Sequence, residues 1–171
     1  MLQTSRLLIE HATIEDREFI FELLNSPNWL HYIGDRGIRT IEDAEYYIEH
    51  SLVESYQNKG YGLYKVSLKG RDKPIGLCGF LKRDYLPSVD IGFAILPEFE
   101  RQGYITEAAK AVLTYGKTKL GFSTVFGITS PDNTASQHLL NKLGLRLVDR
   151  RAATDQHKEL LIFSDGISDS N

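Results

Sequence analysis

The fold is decided by the stretch Asp90-Ile91-Gly92-Phe93-Ala94-Ile95-Leu96-Pro97-Glu98-Phe99-Glu100-Arg101-Gln102-Gly103-Tyr104-Ile105-Thr106-Glu107-Ala108. Its first part is apolar and predicts a strand over 89–96. A turn follows at Pro97, and a helix begins near Gly103. The stretch therefore predicts a strand, a turn and a helix in direct succession.

This strand–turn–helix unit predicts an anion site. The free N–H groups of a helix start point at one place, with the positive end of the helix dipole behind them, which suits phosphate groups. Gly103 lets the backbone approach closely because it has no Cβ, and Arg101 adds a charge-assisted contact. The alternative is an ordinary strand–turn–helix with a glycine where the chain is tight, since no Walker-type lysine is present.

The flanking sequence predicts an α+β (mixed α/β) domain built on one twisted sheet. The helix after the turn has apolar residues at spacings of three and four and ends at Gly121. Capping boxes at Thr13–Asp16 and Thr40–Asp43 predict two earlier helices, the second running to about Gln57. Pro131 predicts the first turn of another helix. Strands are predicted over 6–11, 61–68, 74–81, 89–96, 124–129, 145–149 and 158–163.

Composition narrows the class of protein. The 171 residues fit one domain, expected over 1–163 with a flexible tail over 164–171. The single cysteine, Cys78, excludes an internal disulfide framework and suits a reducing compartment. The net charge of −3 disfavours sequence-independent nucleic-acid binding. Without a signal-peptide pattern, a membrane-span pattern or a metal-ligand cluster, we expect a cytoplasmic protein with no membrane partner and no metal.

Four segments, taken in order, resemble the GNAT acetyltransferases, in particular the RimJ/RimL-like branch of ribosomal-protein alanine and serine N-terminal acetyltransferases. The segments are Thr4-Ser5-Arg6-Leu7, Ile75-Gly76-Leu77-Cys78-Gly79, the stretch from Asp90 to Ala108, and Asn133-Thr134-Ala135-Ser136 with Lys142-Leu143-Gly144-Leu145 beyond. The resemblance extends over nearly the whole chain. The resemblance implies a single twisted, mostly antiparallel sheet of about six to seven strands, flanked by about four helices.

Two positions depart from the general loop pattern of that superfamily, Q/R-x-x-G-x-G/A. Glu100 stands where Gln or Arg is usual, and Ile105 stands where Gly or Ala is usual. Arg101 lies beside the first departure. Ile105 adds bulk but keeps its backbone N–H group, so we still expect cofactor binding.

The resemblance implies an N-acetyltransferase that moves acetyl from acetyl-CoA to a primary amine by direct attack in a ternary complex. A splay between the strands at 93–96 and 125–129 would admit the pantetheine arm. Asn133 matches a family residue that contacts this arm, although helix capping explains an Asn there as well. The expected cofactor residues are Phe93, Ala94, Ile95, Arg101, Gln102, Gly103, Tyr104, Ile105, Thr106 and Asn133.

Two catalytic residues are expected. Asp90 shares a strand face with Gly92 and Ala94, so its carboxylate would overlook a cleft and take the amine proton through water; the alternative is a hydrogen-bonded structural carboxylate. Ser136 matches this branch as donor to the departing sulfur, and the alternative is a small residue that eases packing. Many GNAT enzymes use a tyrosine one turn later, where this chain has Leu140.

The sequence leaves several acceptor amines as alternatives. Trp29, His31 and Tyr32 lie where the family's early helices form one wall of the acceptor cleft, although core packing explains Trp29 and Tyr32 equally well. A protein N-terminus is the favoured acceptor, with a polyamine, an amino-acid derivative or an antibiotic amine as alternatives. Two further alternatives concern the function as a whole: a non-catalytic acetyl-CoA-binding module, and a loop that binds a different phosphate ligand. The protein is expected to be a monomer or a homodimer.

Overall fold

The computed structural model describes residues 1–155 and 158–166. Its strands are β1 (Leu2–Gln3), β2 (Leu7–Glu10), β3 (Leu63–Leu68), β4 (Lys73–Lys82), β5 (Val89–Ile95), β6 (Phe126–Thr129), β7 (Arg146–Arg151) and β8 (Leu160–Ser164). They form one eight-stranded sheet in the order β1-β2-β3-β4-β5-β6-β8-β7. Neighbouring strands are antiparallel except β5 and β6, which are parallel. The mixed α/β fold with a mostly antiparallel sheet is therefore confirmed, with one strand more than predicted.

The described residues contain five α-helices and several shorter turns. The helices are α1 (Arg17–Leu24), α2 (Ile41–Tyr47), α3 (Glu54–Lys59), α4 (Tyr104–Thr118) and α5 (Thr134–Lys142). A π-helical segment, Ile48–Val53, joins α2 to α3, so the helix predicted from Thr40 is continuous but changes its hydrogen-bonding pattern midway. At its start, the Thr40 hydroxyl accepts the Asp43 N–H at 3.1 Å and Asp43 accepts the Thr40 N–H at 2.9 Å, which confirms the capping box.

The last helix begins later than predicted. Pro131 lies in a turn closed by the Asn133 N–H, which donates to the Ser130 carbonyl at 3.1 Å. Helix α5 begins at Thr134, because the Asn133 side chain caps it by accepting the Ser136 N–H at 3.1 Å. An Asn side chain supplies an acceptor for a free N–H group at the start of a helix, whereas proline is only compatible with the first turn and supplies no acceptor from its side chain.

Helix α4 is fixed tightly against the centre of the sheet. The β4 residues 75–80 are all buried, as expected for a strand covered on both faces. On α4, Ala108, Ala109 and Val112 are fully buried. A Cβ at Gly116 would lie 2.4 Å from the Phe80 ring, so only glycine allows this close approach. The start of α4 is therefore held at a defined position beside the end of β5.

The sheet extends past the predicted domain end. Ser164 belongs to β8 and is buried. Asp165 accepts the Val125 N–H at 2.8 Å and pairs with Lys117 at 2.6 Å. The rest of the predicted tail, from residue 167 onwards, lies outside the described residues. Among the helices of residues 1–155 and 158–166, none is both long and apolar enough to cross a membrane.

Candidate active site

The sheet opens between β5 and β6. These strands are paired only where Asp90 lies opposite Phe126, and beyond that point they separate. The Leu96 N–H donates to Ile75 of β4 at 2.8 Å. In a strand, the N–H and C=O groups of one residue point to the same edge and those of the next residue point to the opposite edge. The N–H and C=O groups of Phe93 and Ile95 therefore face the opening. The predicted splay is thus present, and we call it the β5–β6 split.

The loop after β5 gathers free backbone donors at the mouth of the split. We call residues 96–103 the β5–α4 loop. The first hydrogen bond of the following helix runs from the Glu107 N–H to the Gly103 carbonyl at 3.0 Å. Within the described part of the chain, the N–H groups of residues 101–106 have no acceptor. They lie at the positive end of a 15-residue helix, which is the arrangement that favours an anion, and the anion site itself stays a prediction.

Two residues of this loop have left-handed backbone conformations. Gly103 has φ +79° and Arg101 has φ +60°. The conformation at Gly103 suits glycine, and the helix that it caps has no side-chain cap. Arg101 and Gln102 are exposed, while Tyr104, Ile105 and Thr106 are half-buried at the helix start.

A residue far away in the sequence contacts this loop. The Arg6 guanidinium donates through Nη1 to the Gln102 carbonyl at 3.0 Å and through Nε to Glu107 at 2.6 Å. The Thr4 hydroxyl donates to the same carboxylate at 2.6 Å. Burial alone would raise the pKa of Glu107, but hydrogen bonds from Thr4 and Arg6 lower it. From the sequence alone, Arg6 is only part of the motif at residues 4–7, because one sequence does not reveal a contact across 101 residues.

The other side of the split carries Asn133 and Ser136. Asn133 uses its Oδ1 atom to cap α5, so its Nδ2 donors are left for another partner. The Ser136 side chain is half-buried, and its hydroxyl has no partner among the described residues. Leu140, where many relatives have tyrosine, is buried against Gly127 of β6. Ser136 lies one turn before Leu140, closer to the open end of the split.

Sequence reasoning missed Thr129, the last residue of β6. Thr129 is only 6% exposed, yet its hydroxyl has no hydrogen-bond partner in residues 1–155 and 158–166. It shares a strand face with Gly127, whose face packs on α5. Since α5 follows directly after the loop that begins at Thr129, Thr129 lies on the side of β6 that carries α5. A buried hydroxyl without a partner is costly, which makes it a candidate ligand contact.

Asp90 lies at the closed end of the split. It is 2% exposed, and its two carboxylate oxygens accept from Arg83 Nε at 3.1 and 3.3 Å. Burial raises the pKa of Asp90, and the positive charge of Arg83 opposes that rise. The carboxylate does not overlook an open cleft as expected, because it is turned onto Arg83. These contacts are those of the structural alternative, and the role of Asp90 as a base stays a prediction.

The expected acceptor residues lie on a π-helical segment, Trp29–Ile33. Trp29 is 4% exposed and packs in the core, with an unpartnered Nε1–H group. His31 is exposed, and its Nε2 lies 2.9 Å from Asp132 Oδ2. Tyr32 is 36% exposed and lies edge-on to the His31 ring.

This segment touches the loops on both sides of the split. Asn28 donates to Glu100 of the β5–α4 loop at 2.5 Å, while His31 reaches Asp132, next to Asn133. Hydrogen bonds from Ser130 and His31 lower the pKa of Asp132. Of the three expected acceptor residues, His31 and Tyr32 are therefore exposed beside the split, and Trp29 packs beneath them.

No group of three or more His, Cys, Asp or Glu side chains in residues 1–155 and 158–166 is arranged to hold a metal ion. The chemistry available at the split is that of backbone N–H donors, two unpartnered hydroxyls, an amide side chain and an exposed imidazole–carboxylate pair. Groups of these kinds are chemically able to bind phosphates, to orient an acyl group and to move a proton.

Comparison with known proteins identifies relatives by sequence. The family model described as acetyltransferase (GNAT) domain matches residues 6–146. YnaD of Bacillus subtilis (strain 168), an uncharacterised N-acetyltransferase, is 30% identical over 147 residues, which are 85% of this chain and 82% of YnaD.

Solved structures show the same fold at low sequence identity. RimL, a ribosomal L7/L12 alpha-N-protein acetyltransferase, superposes with a TM-score of 0.79 at 12% identity, covering 94% of this chain and 90% of RimL. The microcin C7 self-immunity acetyltransferase MccE, in complex with acetyl-CoA and AMP, has a TM-score of 0.78 at 18% identity, covering 94% of this chain and 92% of MccE.

Proposed function

The chain belongs to the GNAT acetyltransferase family, and from this premise we propose that it transfers the acetyl group of acetyl-CoA to the amino terminus of a protein or peptide. Acetyl transfer follows from the family. The acceptor, the residues that bind each substrate and the route of the proton are the finer parts of the proposal.

The β5–β6 split with its free donors is the observation that carries the proposal. The N–H groups of residues 101–106 suit the pyrophosphate of acetyl-CoA. The peptide groups of Phe93 and Ile95, on either side of Ala94, suit the amides of the pantetheine arm, which would extend the open strand edge as an added strand does. Asn133 Nδ2 would donate to the same arm from the other side.

Acetyl-CoA supplies the acyl carbon: a C–N bond forms, the C–S bond breaks, the amine loses a proton and the sulfur leaves as a thiolate. The Ser136 hydroxyl would donate to that sulfur; its half-buried position and its lack of a partner among the described residues support this role. Thr129 offers a second hydroxyl from the same side. Donors that face a developing negative charge in a water-poor site lower the barrier.

Two groups are candidates for accepting the amine proton. Asp90 would act through water, although Arg83 pairs with its carboxylate. His31 is the alternative, since its imidazole is exposed beside the split and Asp132 would stabilise the protonated ring. The two routes predict different pH profiles for the variants Asp90→Asn and His31→Asn.

A protein N-terminus is the proposed acceptor because the four sequence segments resemble the RimJ/RimL-like branch, and because RimL shares the fold. His31 and Tyr32 would contact the acceptor from their exposed positions. A small-molecule amine is the competing acceptor, since loops of this kind decide specificity independently of the fold.

Calorimetry with acetyl-CoA, with adenosine diphosphate as the control ligand, tests the cofactor part. We expect micromolar binding that needs the pantetheine arm. Gly103→Val should abolish it, because valine disfavours φ +79° and its Cβ would lie 3.3 Å from Arg6 Nη2. Unchanged affinity in this variant would contradict the loop assignment.

Transfer of labelled acetyl to a panel of amines tests the acceptor part. Peptides with alanine or serine at the N-terminus should be labelled faster than spermidine or amino acids. Faster labelling of a small amine would show that the acceptor is a small molecule and not a protein N-terminus. Binding without any transfer would favour a non-catalytic acetyl-CoA module.

A further inference from the structure

We propose that Arg6 is a positioning residue for acetyl-CoA: from the N-terminal segment, it holds the β5–α4 loop in the conformation that presents its backbone N–H groups to the phosphates. This inference rests on the proposed function, because it concerns the same site. Arg6 lies just before β2, 96 residues from Gln102 in the sequence.

One guanidinium contacts Gln102 and Tyr104 and lies close to Gly103 between them. Nη1 donates to the Gln102 carbonyl at 3.0 Å. Nη2 lies 3.3 Å from the place where a Cβ at Gly103 would be. The Cζ atom lies 4.4 Å from the centre of the Tyr104 ring, in a cation–π contact. The planar fork of arginine makes all of these contacts at once, and the single ammonium group of lysine does not.

Arg6 is itself fixed by Glu107. The Arg6 Nε–H donates to Oε2 at 2.6 Å, while the Arg6 backbone N–H donates to Oε1 at 3.0 Å. The Thr4 hydroxyl also donates to Oε1, at 2.6 Å. Glu107 lies in the first turn of α4, which is anchored in the core. The contacts therefore connect the loop to the rigid helix through the Arg6 side chain.

The loop needs such a support. Arg101 and Gly103 both have positive φ, a region that residues other than glycine rarely adopt. The N–H groups of residues 101–106 have no acceptor among the described residues, so none of them ties this part of the loop to the rest of the protein. The Gln102 carbonyl is fixed instead by Arg6, which orients the peptide groups on either side of it.

The test measures the dissociation constant of acetyl-CoA and of S-acetylpantetheine, which lacks the pyrophosphate. Arg6→Gln should weaken acetyl-CoA binding about tenfold or more, since it removes charge-assisted hydrogen bonds. S-Acetylpantetheine binding should not change. Arg6→Lys keeps the charge but not the fork and should fail to restore acetyl-CoA affinity. Arg17→Gln is the matched control, because it removes an arginine paired with Glu45 away from the loop.

Glu107→Gln separates positioning from simple charge. Removing a negative charge near the phosphates should strengthen binding if only the electrostatic field matters. If positioning matters, binding should weaken, because glutamine has one acceptor oxygen where the carboxylate has two, and it cannot accept all three hydrogen bonds from Thr4 and Arg6. This variant also decides the question if Arg6→Gln does not fold.

Each outcome has one meaning. Weaker acetyl-CoA binding in both Arg6→Lys and Glu107→Gln, with unchanged S-acetylpantetheine binding, supports the proposal. Tighter binding in Glu107→Gln, full affinity in Arg6→Lys, or equal loss of both ligands in the folded variants overturns it. If the wild-type protein does not bind acetyl-CoA, the proposed function fails instead, which distinguishes the two failures.

Discussion

The buried hydroxyl of Thr129 has two effects that can be measured separately: one on the stability of the protein and one on the binding of acetyl-CoA. Thr129→Val keeps the shape and removes a hydroxyl that has no partner. We expect the free energy of unfolding without ligand to rise by about 1 kcal/mol. If acetyl-CoA uses the hydroxyl, its dissociation constant should rise about fivefold, which corresponds to one net hydrogen bond.

Thr114→Val is the control for this change, since the Thr114 hydroxyl is exposed and donates to the Lys110 carbonyl at 2.9 Å. It should alter neither quantity comparably. A loss of stability in Thr129→Val would show that the hydroxyl has a partner in solution, and unchanged cofactor affinity would exclude it from the site.

We expect the contribution of Asp90 to stability to depend on pH with a sign opposite to that of an ordinary surface carboxylate. Burial raises its pKa above the ordinary 3.8, with Arg83 opposing. The folded state therefore binds more protons than the unfolded state between 3.8 and the raised pKa, and the contribution of Asp90 to stability falls as pH rises through that window. Urea unfolding across acid pH should show this fall in wild type, relative to Asp90→Asn, in which the group cannot titrate. Parallel curves would contradict the raised pKa.

At the scale of elements, the start of α5 combines a structural task with a binding task. Asn133→Ala should lower the free energy of unfolding by about 1 kcal/mol, because the Ser136 N–H loses its acceptor. Asn133→Ser keeps a capping oxygen but not the amide donors. Its stability should therefore stay near wild type while its affinity for acetyl-CoA falls. If Asn133→Ser binds acetyl-CoA as well as wild type, the amide does not contact the pantetheine arm.

The longer elements follow from local sequence because their patterns are strong. The apolar positions of α4 are buried as their spacing predicts, and the box at Thr40 starts its helix. The two-residue strand β1 is too short to have a periodic pattern, so the sheet has one strand more than predicted. The π-helical segments at 29–33 and 48–53 also lack a local signal, because tertiary packing decides them.

The candidate site divides in the same way. The free N–H groups at residues 101–106 and the cap at Asn133 are local features, and the sequence predicts them. The contact between Arg6 and Glu107 and the unpaired hydroxyl of Thr129 depend on how distant elements meet. Asp90 is the opposite case. Strand alternation predicts the sheet face on which its side chain lies, but a contact with Arg83, seven residues away, decides where its carboxylate points.

At the scale of the whole molecule, the split is a gap in an otherwise continuous sheet. Strands β1 to β5 form one antiparallel part, while β6, β8 and β7 form another. The two parts are joined at the single pair of Asp90 and Phe126. Acetyl-CoA in the split would bond to both parts. At a concentration 100 times its dissociation constant, such a ligand stabilises the fold by about 2.7 kcal/mol.

Amide hydrogen exchange locates this effect along the chain. Saturating acetyl-CoA should slow exchange at Phe93 and Ile95, whose peptide groups face the gap, and at residues 101–106. Leu96 and Phe80 are internal controls, because their N–H groups already donate to Ile75 and Gly62. Adenosine diphosphate should protect only residues 101–106, since it lacks the pantetheine arm. Protection at 101–106 without protection at Phe93 and Ile95, when acetyl-CoA is bound, would mean that the arm leaves the loop by another path and that the split serves a different purpose.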